Sequence, residues 1–161
     1  MESAKPQKEH AFLERLVGDW EMVSSTGYED DDSNEPQQRF TETIRSVGGL
    51  WIVSDGKGKM PDGTPMEAII TLGFDPVKGH YVGSWIGSMM TTLWVYKGWL
   101  EPDGKTLVLE AQGPKFDGSG EIATYHDIMT LHDDNNRTFS GSMLQPDGSF
   151  KQFMSSQFRR V

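Results

Sequence analysis

The sequence contains no cysteine, which excludes a disulfide framework and thiolate chemistry. It also lacks any apolar run near the roughly 20 residues that a membrane helix needs, and residues 1–10 have no apolar segment of the kind found in signal peptides. Acidic residues outnumber basic residues, and the formal net charge is −9. This charge argues against a nucleic-acid binder, which needs a positive surface to neutralise phosphates. We therefore predict a soluble, cytoplasmic protein with neither nucleic acid nor a membrane as its partner.

Much of the negative charge is concentrated in one short segment. Residues 29–35 carry five carboxylate side chains in seven positions, and like charges at this density repel one another and resist packing. We interpret residues 27–37 as a solvated acidic loop. A loose calcium site, or a site for a cationic partner, is the alternative, although the glycine spacing of an EF-hand loop is missing.

Short turns of proline, aspartate and glycine recur between segments rich in β-branched and aromatic residues. They occupy residues 61–63, 75–79, 102–105 and 146–149. Connections this short join antiparallel neighbours, because a parallel pair needs a crossover of about a dozen residues. About ten strands follow one another in this way, and residues 10–17 have the apolar spacing of a short amphipathic helix.

These patterns predict an all-β fold, namely an up-and-down antiparallel β-barrel of about ten strands with a short N-terminal helix. Closure removes the two exposed edges that an open sheet of this size would leave. A β-sandwich is the competing architecture, but it relies on longer connections between its sheets. We predict a single domain over residues 1–161, with residues 1–9 as a flexible N-terminus.

A Gly-x-Trp motif, Gly18-Asp19-Trp20, follows the predicted helix at the start of the first strand. This placement resembles the first strand of the calycins, the group of the lipocalins and fatty-acid-binding proteins, and it implies that Trp20 packs across the bottom of a barrel. Several segments are also similar to the bacterial family known as domain of unknown function 1579: residues 18–20, 49–54, 71–76, 81–86 and 93–98. That resemblance implies a calycin-like barrel with no established activity, and it supplies no catalytic residues.

Five tryptophans, eight phenylalanines and nine methionines indicate an apolar pocket inside the predicted barrel. We predict that it binds a small apolar or amphipathic ligand non-covalently, since such sites combine aromatic walls with a few polar anchors. The predicted ligand-binding residues are Trp20, Trp51, Trp85, Trp94 and Tyr96 for the walls, with His126 or Arg159 as the polar anchor. The alternative is that the same rings fill the barrel and leave no room.

The sequence contains no arrangement typical of a catalytic site, so we predict no catalytic residue, no metal site and no cofactor. His126 and His132 lie about 20 Å apart on an extended strand and cannot share one metal ion, although His126 alone could ligate a haem, as in some calycin relatives. One carboxylate turned inward would have a perturbed pKa. Four carboxylates fall in the predicted strands: Glu42, Asp55, Glu67 and Asp127.

Two other functions are compatible with the sequence. One is an enzyme in which a buried carboxylate and His126 act as acid and base on a small substrate. The other is an interaction module whose barrel is filled by its own side chains and holds no ligand. A homo-oligomer is compatible with all three functions, so the sequence leaves the oligomeric state open.

Overall fold

The computed structural model describes residues 1–27, 40–60 and 62–161. Within these residues it contains one helix and ten strands: α1 (Lys8–Glu14), β1 (Gly18–Thr26), β2 (Thr41–Val47), β3 (Trp51–Lys59), β4 (Pro65–Asp75), β5 (His80–Gly87), β6 (Trp94–Leu100), β7 (Thr106–Pro114), β8 (Ile122–Asp133), β9 (Asn136–Leu144) and β10 (Phe150–Arg160). The predicted all-β fold with a short N-terminal helix is confirmed. The predicted acidic loop at residues 27–37 lies, apart from Gly27, outside the described residues.

The ten strands form one closed barrel, in which neighbours along the chain are also neighbours in space. β1 closes the barrel because it pairs with β2 and with β10: Trp20 lies opposite Glu42 on one side and opposite Arg160 on the other. All the strand pairs are antiparallel, and closure leaves no strand of the described barrel as an unpaired edge. The up-and-down barrel is confirmed, and the β-sandwich alternative is wrong.

The helix begins earlier than the apolar spacing of residues 10–17 indicates. α1 starts two residues before it, at a turn in which the backbone N–H of Gln7 donates to Nδ1 of His10 at 2.9 Å. β3 is long and extends to Lys59. Pairing with β4 continues through Gly56, which lies opposite Ala68, and the missing side chain leaves room for the Phe40 ring.

α1 lies over one end of the barrel and closes it. Nε1 of Trp20 donates a hydrogen bond of 2.8 Å to the carbonyl oxygen of Leu16, just after the helix. The hydroxyl of Tyr81 donates another of 2.8 Å to the carbonyl oxygen of Glu9, inside the helix. Trp20 is fully buried and forms the floor of the barrel at this end. In the described part of the chain, no helix has the length and apolar character needed to cross a membrane.

The first strand, β1, and the last strand, β10, meet close to Gly18. Nη1 of Arg160, at the end of β10, donates a hydrogen bond of 2.6 Å to the carbonyl oxygen of Val17, and its guanidinium lies 4.3 Å from the ring centroid of Trp20. Gly18 has a φ of +133°, and a Cβ there would lie 2.5 Å from Nη1 of Arg160. Residues with a side chain rarely adopt this φ, so the backbone at position 18 favours glycine, and an added Cβ would also displace the end of the Arg160 side chain.

Candidate functional site in the barrel interior

Alternation along β6 separates the inner face of the barrel from the outer face. Trp94 and Tyr96 are 7% and 3% exposed, whereas Val95 between them is 62% exposed. Laterally paired residues share a face of a sheet, and Trp94 lies opposite Trp85, which in turn lies opposite Ile70. These side chains form an apolar wall inside the barrel.

The carboxylate of Asp127 in β8 faces this interior beside the apolar wall. Its Oδ2 accepts a hydrogen bond of 2.5 Å from the hydroxyl of Tyr96. Its lateral neighbours are Leu109 in β7 and Gly141 in β9, neither of which has a polar side chain. Burial raises the pKa of Asp127 to about 6, although the hydrogen bond from Tyr96 acts in the opposite direction.

A second polar group lies at the floor of the barrel. The guanidinium of Arg137 packs between the rings of Trp20 and Phe158, 4.7 and 4.3 Å from their centroids, and Arg137 is only 1% exposed. Its Nη2 lies 3.1 Å from Oε2 of Glu42, which accepts a hydrogen bond of 2.7 Å from Ser54. Burial lowers the pKa of Arg137, and the charge of Glu42 opposes this effect.

The geometry of this ion pair leaves the Arg137 donors without directed hydrogen bonds. Nη2 is close enough to Glu42 for charge attraction, yet none of the three guanidinium nitrogens of Arg137 has a hydrogen-bond partner among the described residues. Instead, two aromatic rings cover the faces of the guanidinium. The cation is therefore held mainly by its charge partner and by cation–π contacts.

The other end of the barrel, its mouth, is surrounded by aromatic side chains. The register of β9 and β10 shifts between Gln152 and Met154, which marks a β-bulge at Phe153. The Phe153 ring packs against those of Tyr125 and Phe116, with centroids 6.0 and 5.7 Å apart. A cavity of about 230 Å³ opens at this mouth, lined by Phe116, Met143, Gln145, Lys151 and Phe153.

Four inward-pointing side chains keep accessible surface. Trp85, Asp127, Phe139 and Met143 point inward but are only partly buried, whereas a side chain in the middle of a close-packed core is fully buried. Met143 also lines the mouth cavity, which places part of this accessible surface at the mouth.

The structure divides the seven residues predicted to bind a ligand into two groups. The interior contains Trp20, Trp85, Trp94 and Tyr96, and the outer surface carries Trp51, His126 and Arg159. Trp51 is 43% exposed, and its ring lies against the backbone of Gly73. Arg159 donates from Nη2 to Oε1 of Glu21 at 2.5 Å in an exposed ion pair. An outer cavity of about 400 Å³ is lined by Ala4, Lys5, Gln7, His10, Leu50, Trp51, Phe74, Asp75 and Pro76.

His126 belongs to an aromatic cluster on the outside of the barrel. Its ring stacks on Phe150, with centroids 3.7 Å apart and an interplanar angle of 13°, and meets Trp99 edge-on at 5.5 Å. Its Nε2 lies 2.9 Å from Oε2 of Glu110. His126 and the adjacent Asp127 point to opposite faces of β8, so they do not form an acid–base pair in one pocket. Within the described residues, no group of three or more His, Asp or Glu side chains could hold a metal ion.

Three residues of the interior were not singled out by the sequence. Asp127 shares its strand parity with the aromatic Tyr125, but the exposed Asp55 shares its parity with Trp51 in the same way, so alternation alone does not select Asp127. Arg137 follows a polar turn, and nothing in the sequence around a charged arginine indicates that its side chain is buried. Phe153 faces the mouth only because of the β-bulge, which no turn residue marks.

Comparison with solved structures shows the same barrel fold in another protein. The crystal structure of Rv2717c from M. tuberculosis is 13% identical, covers 98% of this chain and 99% of its own, and superposes with a TM-score of 0.59. A single-residue mutant of the fluorescent protein UnaG is 16% identical over 92% of this chain and 98% of its own, with a TM-score of 0.49. A de novo designed fluorescence-activating β-barrel is 14% identical over 92% and 95%, with a TM-score of 0.45.

Comparison with protein families covers almost the whole chain. No curated protein sequence matches it. The family described as "Protein of unknown function (DUF1579)" matches residues 5–160, a span that includes the helix, all ten strands of the described barrel and the interior residues. The chain therefore belongs to the DUF1579 family.

Proposed function

We propose that the barrel binds a small apolar or amphipathic molecule non-covalently in its interior. The observation that carries this proposal is the partial exposure of Trp85, Asp127, Phe139 and Met143, all of which point inward. Aromatic and aliphatic walls with a few polar groups are the usual composition of a small-molecule site. Trp85, Trp94 and Tyr96 would form the walls, and the buried Trp20 would form the floor.

The driving force would be the removal of apolar ligand surface from water. A ligand that buries about 200 Å² of apolar surface gains roughly 5 kcal/mol before the costs of association are subtracted. Asp127 and Tyr96 are polar groups in the middle of an apolar wall, so they would fix the orientation of the ligand. His126 and Arg159 lie on the outer face, and the proposed interior site does not use them.

A ligand would enter through the mouth. α1 and the Trp20 side chain cover the opposite end, whereas the mouth carries the cavity lined by Met143 and Phe153. Phe116 is 62% exposed and Phe153 is 37% exposed. Their exposure leaves apolar surface available for a first contact with an apolar molecule.

Specific observations weigh against the two alternative functions. The enzyme alternative needs His126 and a buried carboxylate in one pocket, but His126 packs outside with Phe150 and Glu110. The alternative with a filled barrel needs a close-packed interior. The partial exposure of Trp85 and Asp127 argues against that packing.

A fluorescence titration tests the proposal. The neutral probe N-phenyl-1-naphthylamine is added to the wild type, to Met143→Trp, which narrows the mouth, and to Val95→Trp, which adds the same ring to the outer face. We expect saturable binding to the wild type and to Val95→Trp. We expect Met143→Trp to bind at least about tenfold more weakly, because a bulkier ring takes up the space that the ligand needs.

Two outcomes would contradict the interior site. One is no saturable binding of the probe to the wild type. The other is binding that Met143→Trp leaves unchanged while Val95→Trp abolishes it, which would place the probe on the outer surface. Circular dichroism of the two variants checks that the barrel is intact.

A further inference from the structure

We infer that the interior site selects an amphipathic ligand with a cationic group, such as a protonated amine, which lies against Asp127. This inference rests on the proposed function, since it names the chemical class of molecule that the interior would take. The apolar part of the ligand would lie among Trp85, Trp94 and Met143. The cation would lie beside the carboxylate, on the side away from Tyr96.

The hydrogen bonding of Asp127 leaves one oxygen available. Oδ2 accepts the hydrogen bond from Tyr96, whereas Oδ1 makes no hydrogen bond within the described part of the chain. Asp127 remains partly exposed, and Leu109 and Gly141 beside it offer no polar side chain. Oδ1 can therefore accept a hydrogen bond from a ligand, and an ammonium group carries suitable donors.

The charges of the interior do not balance at neutral pH. Arg137 and Glu42 form a pair at the floor, and the other cation there, Arg160, donates to backbone carbonyl oxygens. Lys151 lies at the exposed mouth. Burial raises the pKa of Asp127 to about 6, so its carboxylate is largely ionised at neutral pH without a cationic partner. A buried charge without a partner is costly, and a ligand cation would remove that cost.

The aromatic rings beside Asp127 are also suited to a cation. Trp94 lies two positions from Tyr96 on β6, and Tyr125 lies two positions from Asp127 on β8, so all four side chains share the inner face. The rings of Trp94 and Tyr125 meet edge-on, with centroids 5.1 Å apart. Aromatic faces attract ammonium groups, and this attraction strengthens where water is excluded.

Calorimetry with three probes of equal chain length tests the inference. Octylamine, 1-octanol and octanoate are titrated into the wild type, Asp127→Asn and Asp55→Asn near neutral pH. Asp55 is exposed on the outer face, so its variant makes the same change in net charge without touching the interior. We expect the wild type and Asp55→Asn to bind octylamine about tenfold or more tightly than 1-octanol, because a charged hydrogen bond is added. We expect this preference to disappear in Asp127→Asn.

Each other outcome has a definite meaning. Equal affinities of the wild type for octylamine and 1-octanol would overturn the cation inference and leave interior binding standing. Tightest binding of octanoate would overturn the inference and point to Arg137. Failure of all three probes to bind would overturn both the inference and the proposed function. Tyr96→Phe loses a hydrogen bond that lowers the pKa of Asp127, so this variant is titrated at about pH 8.5, where the carboxylate is ionised and octylamine is still a cation. There it must retain the preference for octylamine, and loss of that preference would overturn the inference even if Asp127→Asn does not fold.

Discussion

The hydroxyl of Tyr96 lies 2.5 Å from Oδ2 of Asp127, and this hydrogen bond links β6 to β8 across the inner face of β7. Burial raises the pKa of Tyr96 well above its ordinary value, so the phenol keeps its proton and remains the donor. Burial also raises the pKa of Asp127 to about 6. Ionisation of Asp127 therefore costs folding stability, and the stability of the barrel depends on pH through this carboxyl group.

The first prediction concerns the substitution Asp127→Asn. The folded chain holds the Asp127 proton up to about pH 6, whereas the unfolded chain releases it near its ordinary pKa of 3.8. The contribution of this group to stability is therefore greatest below pH 3.8 and is lost as the pH rises to about 6. We expect the free energy of unfolding of Asp127→Asn, relative to wild type, to rise by on the order of 3 kcal/mol between about pH 4 and about pH 8.

Urea unfolding of both proteins at several pH values measures this difference. Asp55→Asn, which changes an exposed carboxylate, is the control and should show almost no dependence on pH relative to wild type. The titratable side chains that act on the pKa of Asp127 are those of Tyr96 and His126. A difference that is constant with pH would show that the pKa of Asp127 is not raised.

The second prediction concerns the ion pair between Arg137 and Glu42. Replacing Arg137 by methionine leaves the Glu42 carboxylate at the buried floor, where Ser54 is its only side-chain donor among the described residues. We expect Arg137→Met to lower the free energy of unfolding by about 3–5 kcal/mol, because a buried charge loses its partner. The double variant Arg137→Met/Glu42→Gln should be more stable than Arg137→Met alone, since the unpaired carboxylate of residue 42 is then absent.

Chemical denaturation of the three proteins gives these free energies. Arg159→Met is the matched control, because Arg159 pairs with Glu21 and its side chain is 60% exposed. Exposed ion pairs contribute about 1 kcal/mol or less, so this variant should remain close to wild type. A double variant less stable than Arg137→Met would mean that Glu42 stabilises the barrel without Arg137.

The fold followed from features that are local in the sequence, whereas the site depended on contacts that are not. Short turns between segments rich in β-branched and aromatic residues were enough to predict a closed antiparallel barrel, because such turns act between residues close together in the chain. Asp127 was one of four candidate carboxylates, and its selection required the packing of three strands. Phe153 reaches the mouth through a bulge that depends on its pairing with β9. His126 was predicted as an anchor because side-chain direction cannot be assigned before strand register is known.

The third prediction concerns the close approach of Gly113 to Trp94. A Cβ at Gly113 would overlap the six-membered ring of Trp94, a side chain that is only 7% exposed. We expect Gly113→Ala to lower the free energy of unfolding by about 1–3 kcal/mol through overpacking. In a Trp94→Leu background the same substitution should cost much less, because the smaller side chain leaves room for the methyl group.

A double-mutant cycle measures this coupling from the unfolding free energies of the four proteins. Near-ultraviolet circular dichroism of Gly113→Ala should also change, since the ring of Trp94 packs edge-on against Tyr125. Additive effects of the two substitutions would contradict a contact between residue 113 and the indole.

The fourth prediction tests whether the ligand binds in the interior or on the outer face, and it uses the substitution His126→Ala. His126 stacks on Phe150 and bonds to Glu110 outside the barrel, so its loss removes a cross-strand contact that contributes about 1 kcal/mol of stability or less. The affinity for N-phenyl-1-naphthylamine should stay within about twofold of wild type, because the imidazole does not reach the interior. Fluorescence titration beside Met143→Trp makes the comparison direct. If His126→Ala lowers the affinity for the probe as much as Met143→Trp does, the probe binds on the outer cluster around Trp99. A single interior site cannot depend equally on side chains that point to opposite faces of the barrel wall.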